Sequence, residues 1–449
     1  MNILVIGNGF DLAHGLPTGY TDFLEFCKRV RNIYTYGGSV PIQQYQQDNL
    51  EAWNINADIK ERLLYAYHSR KGKSELLEDK SIGTTVITND EAMNELYTYI
   101  EHNTWLEYFL DCPSYVGENW IDFESEISRV IQALDAGKYE VKYEGSVMGV
   151  DSHESKILVA LAKAAKTNMR KVYKDDNAIR EFTVFLNEEL ENLIRALEIY
   201  IAEFVGKIEI KERSIDIASI SPNYIVSFNY SNTYEREYGS GKTIEYDYIH
   251  GKADIGNTIE TNNMVLGIDE YLGDKEKNEK TDFICFKKYY QRIHKTNKRL
   301  TENWCTDIKK EAEYAKLSRK FMLENQIKFE LEQNSSKEYS WQNYEKLSKE
   351  YDEQYEKMHA KHNVYIFGHS LDVTDKDILR NLILNDNVYT TIFYCKKRDA
   401  NGNYDNGRKD KGQKITNLVK IIGQEELTRR TGGGTKTIEF VLQQDMLAK

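Results

Sequence analysis

A hydrophobic run at residues 3–6 breaks directly into Gly7-Asn8-Gly9-Phe10-Asp11-Leu12-Ala13-His14-Gly15-Leu16-Pro17. A strand that turns at once through Gly-x-Gly is how α/β proteins lay backbone N–H groups against a nucleotide phosphate. Three further runs also end in polar residues with chemical potential. Residues 224–228 lead into Asn229-Tyr230-Ser231-Asn232, residues 246–249 into His250-Gly251, and residues 364–367 into Gly368-His369-Ser370-Leu371. In an open parallel sheet, ligands lie beyond the carboxyl ends of the strands. Four such ends therefore predict one crevice. Taken singly each signal is plainer: a strand-end Asn commonly turns the chain, and a strand-end His is commonly a structural hydrogen-bonder.

Several familiar chemistries fail on spacing. Leu12 occupies the third glycine position of G-x-G-x-x-G and no Walker lysine follows the loop, so neither a dehydrogenase nor a P-loop fingerprint is present. Gly368-His369-Ser370 lacks the second glycine of a nucleophile elbow, because Asp372 stands there. Asp11 is repelled by a pyrophosphate, and is expected instead to accept hydrogen bonds from a sugar or to cap the following helix.

Strands and helices must hold these ends in place. Runs rich in β-branched and aromatic residues occur at 3–6, 224–228, 246–249, 264–268, 364–367, 389–394 and 437–441, with long helical stretches between them. This alternation predicts an α/β fold, a Rossmann-like, mostly parallel sheet with large helical insertions. The expected nucleotide-binding core is discontinuous, comprising residues 1–35, 215–275 and 362–449. A mostly helical insertion covers 36–214 and a charged helical insertion 276–361. In the first, Phe182, Leu186, Leu190, Leu193, Leu197, Ile201 and Phe204 recur at helical spacing and predict one buried stripe. In the second, Tyr344, Leu347, Tyr351, Tyr355 and Met358 recur similarly among many Lys and Glu, as in a scaffold or assembly helix.

The chain of 449 residues carries a net charge of −12, which opposes general nucleic-acid binding and attachment to anionic membranes. No apolar run approaches the ~20 residues that span a bilayer, and no secretory leader is visible. The five scattered cysteines form neither a disulfide framework nor a zinc knuckle, so the expectation is a cytoplasmic protein without a metal.

Together the motifs resemble two families. Gly7, Gly9, Gly15 and Pro17 fall at the spacing of the sirtuin signature. Ser227-Phe228-Asn229-Tyr230-Ser231, His250-Gly251 and Gly368-His369-Ser370 are similar to the later sirtuin strand ends, in the same order. The closer resemblance is to the bacterial abortive-infection AbiH family. It is carried by the opening block through Tyr20, Asp22 and Phe23, by Trp120-x-Asp122-x-Glu124, and by Phe228-Asn229-Tyr230, His250-Gly251 and Gly368–Leu371.

The resemblance implies a sirtuin-like NAD-binding core in an anti-phage effector, with NAD cleaved at the nicotinamide–ribose bond. Asn229 would orient the ribose or the attacking water, and His250 would be the base. Gly7, Asn8, Gly9, Phe10, Asp11, His14, Gly368, His369 and Ser370 would hold the nucleotide. A phage-derived trigger and a homo-oligomer are expected partners. The chain departs from the sirtuin pattern at Asp11, which stands for Ser, and at Ser231, which stands for Asp. Only Cys285 and Cys305 lie between His250 and Gly368, so the deacetylase zinc module is absent. Two alternatives stay open: a nucleotide-binding sensor without turnover, and another nucleotide-cleaving enzyme that uses Asp11 and His14.

Overall fold

The computed structural model describes residues 1–36, 55–74, 90–113, 115, 122–144, 153–241, 243–273, 275–295, 299–333, 346, 349, 362–385, 387–396 and 404–449. Trp120 and the spacing of Tyr344, Leu347, Tyr351, Tyr355 and Met358 lie outside them.

Six strands form one sheet: β1 (Asn2–Ile6), β2 (Tyr224–Ser227), β3 (Glu245–Tyr248), β4 (His362–Phe367), β5 (Val388–Tyr394) and β6 (Ile438–Leu442). Their order is β3-β2-β1-β4-β5-β6, and each neighbouring pair is parallel. The α/β architecture with a parallel sheet is as the sequence predicts. From Ile3 to Ile6 the strand β1 is apolar and buried because both of its faces are covered. Ile3 and Val5 join one core, Leu4 and Ile6 the other.

Helices α1 (Asn8–Ala13) and α4 (Thr233–Tyr238) cover one face through Phe10, Tyr234 and Tyr238. The opposite face is covered by α6 (Leu300–Gln333), α7 (Lys376–Ile383) and α8 (Arg408–Ile422) through Ile308, Leu379 and Leu418. A separate helical core includes α2 (Phe123–Glu144) and α3 (Asp176–Ile199). Here the seven residues of the predicted stripe are all buried. Asp175 caps α3 by accepting the Ala178 N–H at 2.8 Å. Past Ile199 the chain widens into a π-helical turn, Tyr200–Phe204.

Register sets the strand ends level. Ile6 pairs with Ser227 and with Phe367, and Ser227 pairs with Tyr248. Gly7, Phe228, Ile249 and Gly368 thus leave the sheet side by side, at the point where strand order reverses between β1 and β4.

The run at 264–268 is an exception to the strand assignments. It is an extended segment with one bridge, Ile268 to Lys287, and Met264, Leu266 and Ile268 pack into the helical core. The Gln291 amide accepts the Leu266 N–H at 3.0 Å and donates to the Leu266 carbonyl at 3.2 Å. A side-chain amide thus supplies what a neighbouring strand otherwise would. Among the described residues, no helix is long and apolar enough to cross a membrane.

Candidate functional site

A cleft of about 620 Å³ opens at the reversal of strand order, between the strand-end loops and α2. Gly7, Asn8, Gly9 and Asp11 line it after β1, Asn229 after β2, His250 after β3, and Gly368, His369 and Ser370 after β4. The structure therefore brings together most of the residues singled out from the sequence. Phe10 and His14 are turned away. One helical turn apart, Phe10 within α1 and His14 at its C-cap point to the same side. Phe10 packs against Phe367 and Tyr234. Nδ1 of His14 meets the Phe10 carbonyl at 2.7 Å and Nε2 meets the Tyr238 hydroxyl at 2.7 Å, so both ring nitrogens are engaged in the core.

The glycine loop is held close to another loop of the protein. Gly9 N–H donates to the Gly368 carbonyl at 2.8 Å, Gly7 N–H to Phe367 at 3.2 Å, and Phe10 N–H to Gly7 at 2.8 Å. A Cβ on Gly9 would fall 2.8 Å from the Gly368 oxygen, and one on Gly7 2.7 Å from the His369 Cα. Gly368 has φ +68°, and a Cβ there would run into the Phe10 nitrogen. Gly368→Ala is expected to cost about 2 kcal/mol, from a strained backbone and overpacking. Urea unfolding measures it, and a wild-type midpoint would reject this clamp between loops.

Asp11 is buried inside α1, and it does not cap the helix, whose N-cap is Gly7. Its Oδ2 accepts the Ser231 hydroxyl at 2.6 Å, and Oδ1 has no partner among the described residues. Burial pushes its pKa up to about 6, against the hydrogen bonds from Ser231 and Thr233. The two positions that depart from the sirtuin pattern are thus partners of each other.

Three further residues build its charged wall, Asp375, Lys288 and Glu124, and Arg292 stands behind them against His250. Asp375 lies just before α7, with Oδ1 3.3 Å from His250 Nε2 and Oδ2 3.4 Å from His369 Nε2. Lys288 and Arg292, both on α5 (Lys288–His294), each approach Asp375 Oδ1 to 4.0 Å. Lys288 Nζ also pairs with Glu124 at 2.7 Å. Burial alone would raise the pKa of Asp375, but Lys288 and the two histidines hold it well below the ordinary value.

The tautomers follow from the partners. Arg292 can only donate, so His250 Nδ1 accepts its Nη2–H at 3.4 Å and the ring proton sits on Nε2, toward Asp375. His369 Nδ1 accepts the Leu371 N–H at 2.9 Å, which places its proton on Nε2 as well. Burial pushes His250 down to about 4, against the pull of Asp375. It is a neutral imidazole near pH 7. Burial also raises Glu124 to about 7, against Lys288, and Asp269 to about 6.

Helix α8 braces the β4 loop from outside. Lys414 Nζ donates to the His369 carbonyl at 2.6 Å and Asn417 to the Ser370 carbonyl at 2.9 Å. Asn229 is 5% exposed, and neither atom of its amide group has a partner among the described residues. Also among the described residues, no group of three or more His, Cys, Asp or Glu side chains is arranged to hold a metal ion.

A family model described as bacteriophage abortive infection AbiH matches residues 3–395, from within β1 to just past β5. The chain belongs to the AbiH family. The match takes in every strand-end loop of the cleft, while β6 lies beyond it. No curated protein and no solved structure matches this AbiH chain. AbiH membership carries a role in bacteriophage abortive infection.

Proposed function

We propose that the cleft binds NAD or a related nucleotide and breaks its nicotinamide–ribose bond, making this AbiH protein an NAD-consuming effector of abortive infection. The observation that carries the reading is Asn229. A buried amide with neither end paired costs stability, and it stands ready to orient a ribose hydroxyl or a water at the strand-order reversal. The strand order 3-2-1-4-5-6 is that of dinucleotide-binding sheets. Cleavage of the bond passes through an oxocarbenium-like state, and the carboxyl groups of Asp11, Glu124 and Asp269 line the same cleft and would stabilise the developing positive charge of a sugar bound there. Glu124, near 7, also suits proton transfer at neutral pH. His250 lines the site as a neutral hydrogen-bonding group.

Nicotinamide release from NAD by the pure protein tests this. Asn229→Ala is expected to lower it by about a hundredfold or more, as removal of one well-placed polar group does. The same change is expected to leave stability unchanged or slightly higher, because two unpaired polar atoms leave the interior. Release unaffected by both Asn229→Ala and His250→Ala, or phage protection unchanged in the double variant, rejects the site.

The engaged nitrogens of His250 and His369 favour a second reading, a nucleotide sensor without turnover. Tight NAD binding with no nicotinamide release, even in infected cells, would select it.

A further inference from the structure

In a strand-end cleft the phosphate is expected on the loop after β1. Here the N–H groups of Gly7, Gly9 and Phe10 already have acceptors within the protein. Around the cleft, among the described residues, six carboxyl side chains (Asp11, Asp122, Glu124, Asp269, Asp372 and Asp375) face two cationic ones, Arg129 and Lys288. A multiply charged anion is repelled by such walls. A sugar, which donates hydroxyl hydrogens, is not.

A second pocket of about 330 Å³ adjoins this cleft and shares Ile201 and Ser231 with it. One wall comes from the π-helical turn Tyr200–Phe204, a widened geometry frequent at functional sites. Another comes from α4, which follows directly from the Asn229–Ser231 segment. The balance of charge reverses here: Lys207, Arg236 and Lys252 stand against Glu203 and Asp254. Lys252 is paired with Glu235 at 2.7 Å, and Lys207 lies 3.7 Å from Glu203. Arg236 is fixed in place, its Nε donating to Glu237 at 3.2 Å and its Nη1 to the Gly206 carbonyl. Its Nη2 is buried with no partner among the described residues. A guanidinium held rigidly with an unpaired donor suits a phosphate, whose oxygens match its planar fork.

We propose that this second pocket is the phosphate site, where Arg236 binds the phosphate or pyrophosphate of a nucleotide whose sugar lies in the main cleft. The proposal rests on the reading of that cleft as a nucleotide site. It makes the ligand a nucleotide, not a nucleoside, and moves the anion from the Gly7 loop to the far side of Ser231.

Calorimetric titration of the full chain with inorganic pyrophosphate, ADP-ribose and nicotinamide riboside tests it. Wild type is expected to bind pyrophosphate. Arg236→Gln is expected to weaken pyrophosphate and ADP-ribose by about ten- to a hundredfold, the loss of one charge-assisted contact, and to leave nicotinamide riboside unchanged. Arg236→Lys, which keeps the charge, is expected to lose only a few-fold and serves if the Gln variant fails to fold. Failure of wild type to bind pyrophosphate, or equal binding by wild type and Arg236→Gln, overturns the phosphate site. Arg236-dependent pyrophosphate binding without any affinity for NAD or ADP-ribose would keep the phosphate site and reject the NAD reading.

Discussion

Replacing Asp375 with Ala is expected to remove about 3–5 kcal/mol of stability, the usual consequence of deleting one partner from a buried charge cluster. The carboxylate is 8% exposed and stands among His250, His369, Lys288 and Arg292. Without it, Lys288 keeps Glu124 as its other partner, whereas both imidazoles lose the group that their Nε2 protons face. Asn is a poor substitute. Its carbonyl can accept from one ring, but its amide hydrogens then confront the N–H of the other. Asp375→Asn is therefore expected to recover only part of the loss, and to disorder the strand-end histidines even where the fold survives. Urea unfolding of the two variants measures this. A loss below about 1 kcal/mol for Asp375→Ala, the scale of an exposed ion pair, would show that the cluster is solvated and that Asp375 does not organise it.

The ends of β1 and β4 are legible in the sequence because a strand buried on both faces closes on an apolar run, so the first residue to break that run marks the sheet's edge. Register then did what no local pattern states, setting Gly7, Phe228 and Gly368 level. The same loop also shows how neighbours in sequence mislead. Phe10 and His14 lie beside Asp11 in the chain, but the helical repeat turns them into the core while Asp11 stays on the cleft. Gly7 and Gly9 have the spacing of a phosphate loop, yet here the space they leave is filled by Gly368 and His369. A glycine reports that something approaches closely and not what it is. Asp375 and Lys288 were illegible for a different reason. Each is one charged residue among many, and only the fold, which brings the start of α5 and the residue before α7 to the histidines that follow β3 and β4, gives them partners. Glu124 was visible within Trp120-x-Asp122-x-Glu124, but its pairing with Lys288 was not. Asp11 and Ser231 looked like two independent departures from a pattern, and their hydrogen bond makes them one.

The acid response of the fold is expected to pass through His250. Its pKa falls from 6.5 to about 4 on burial, so between these values the unfolded chain binds a proton that the folded chain refuses. Its contribution to stability is complete above 6.5 and is lost as pH falls to about 4, for a total of about 3 kcal/mol. The cleft carboxyls act in the opposite sense. Asp11 and Asp269, raised to about 6, and Glu124, raised to about 7, take up protons more readily in the folded state. Acid therefore stabilises through them, and that stability is lost as pH rises through their folded values. In wild type the two trends overlap and flatten the profile. The comparison with His250→Gln, which can still face Asp375 and Arg292, isolates the imidazole, because the carboxyls and the other histidines are common to both chains. The unfolding free energy of wild type minus that of His250→Gln is expected to fall by about 3 kcal/mol on acidification from above 6.5 to about 4. A difference that stays constant with pH would mean that His250 keeps its ordinary pKa inside the fold. It would then be a base available near neutrality, and the proton transfer assigned to Glu124 would return to the strand end where the sequence first placed it.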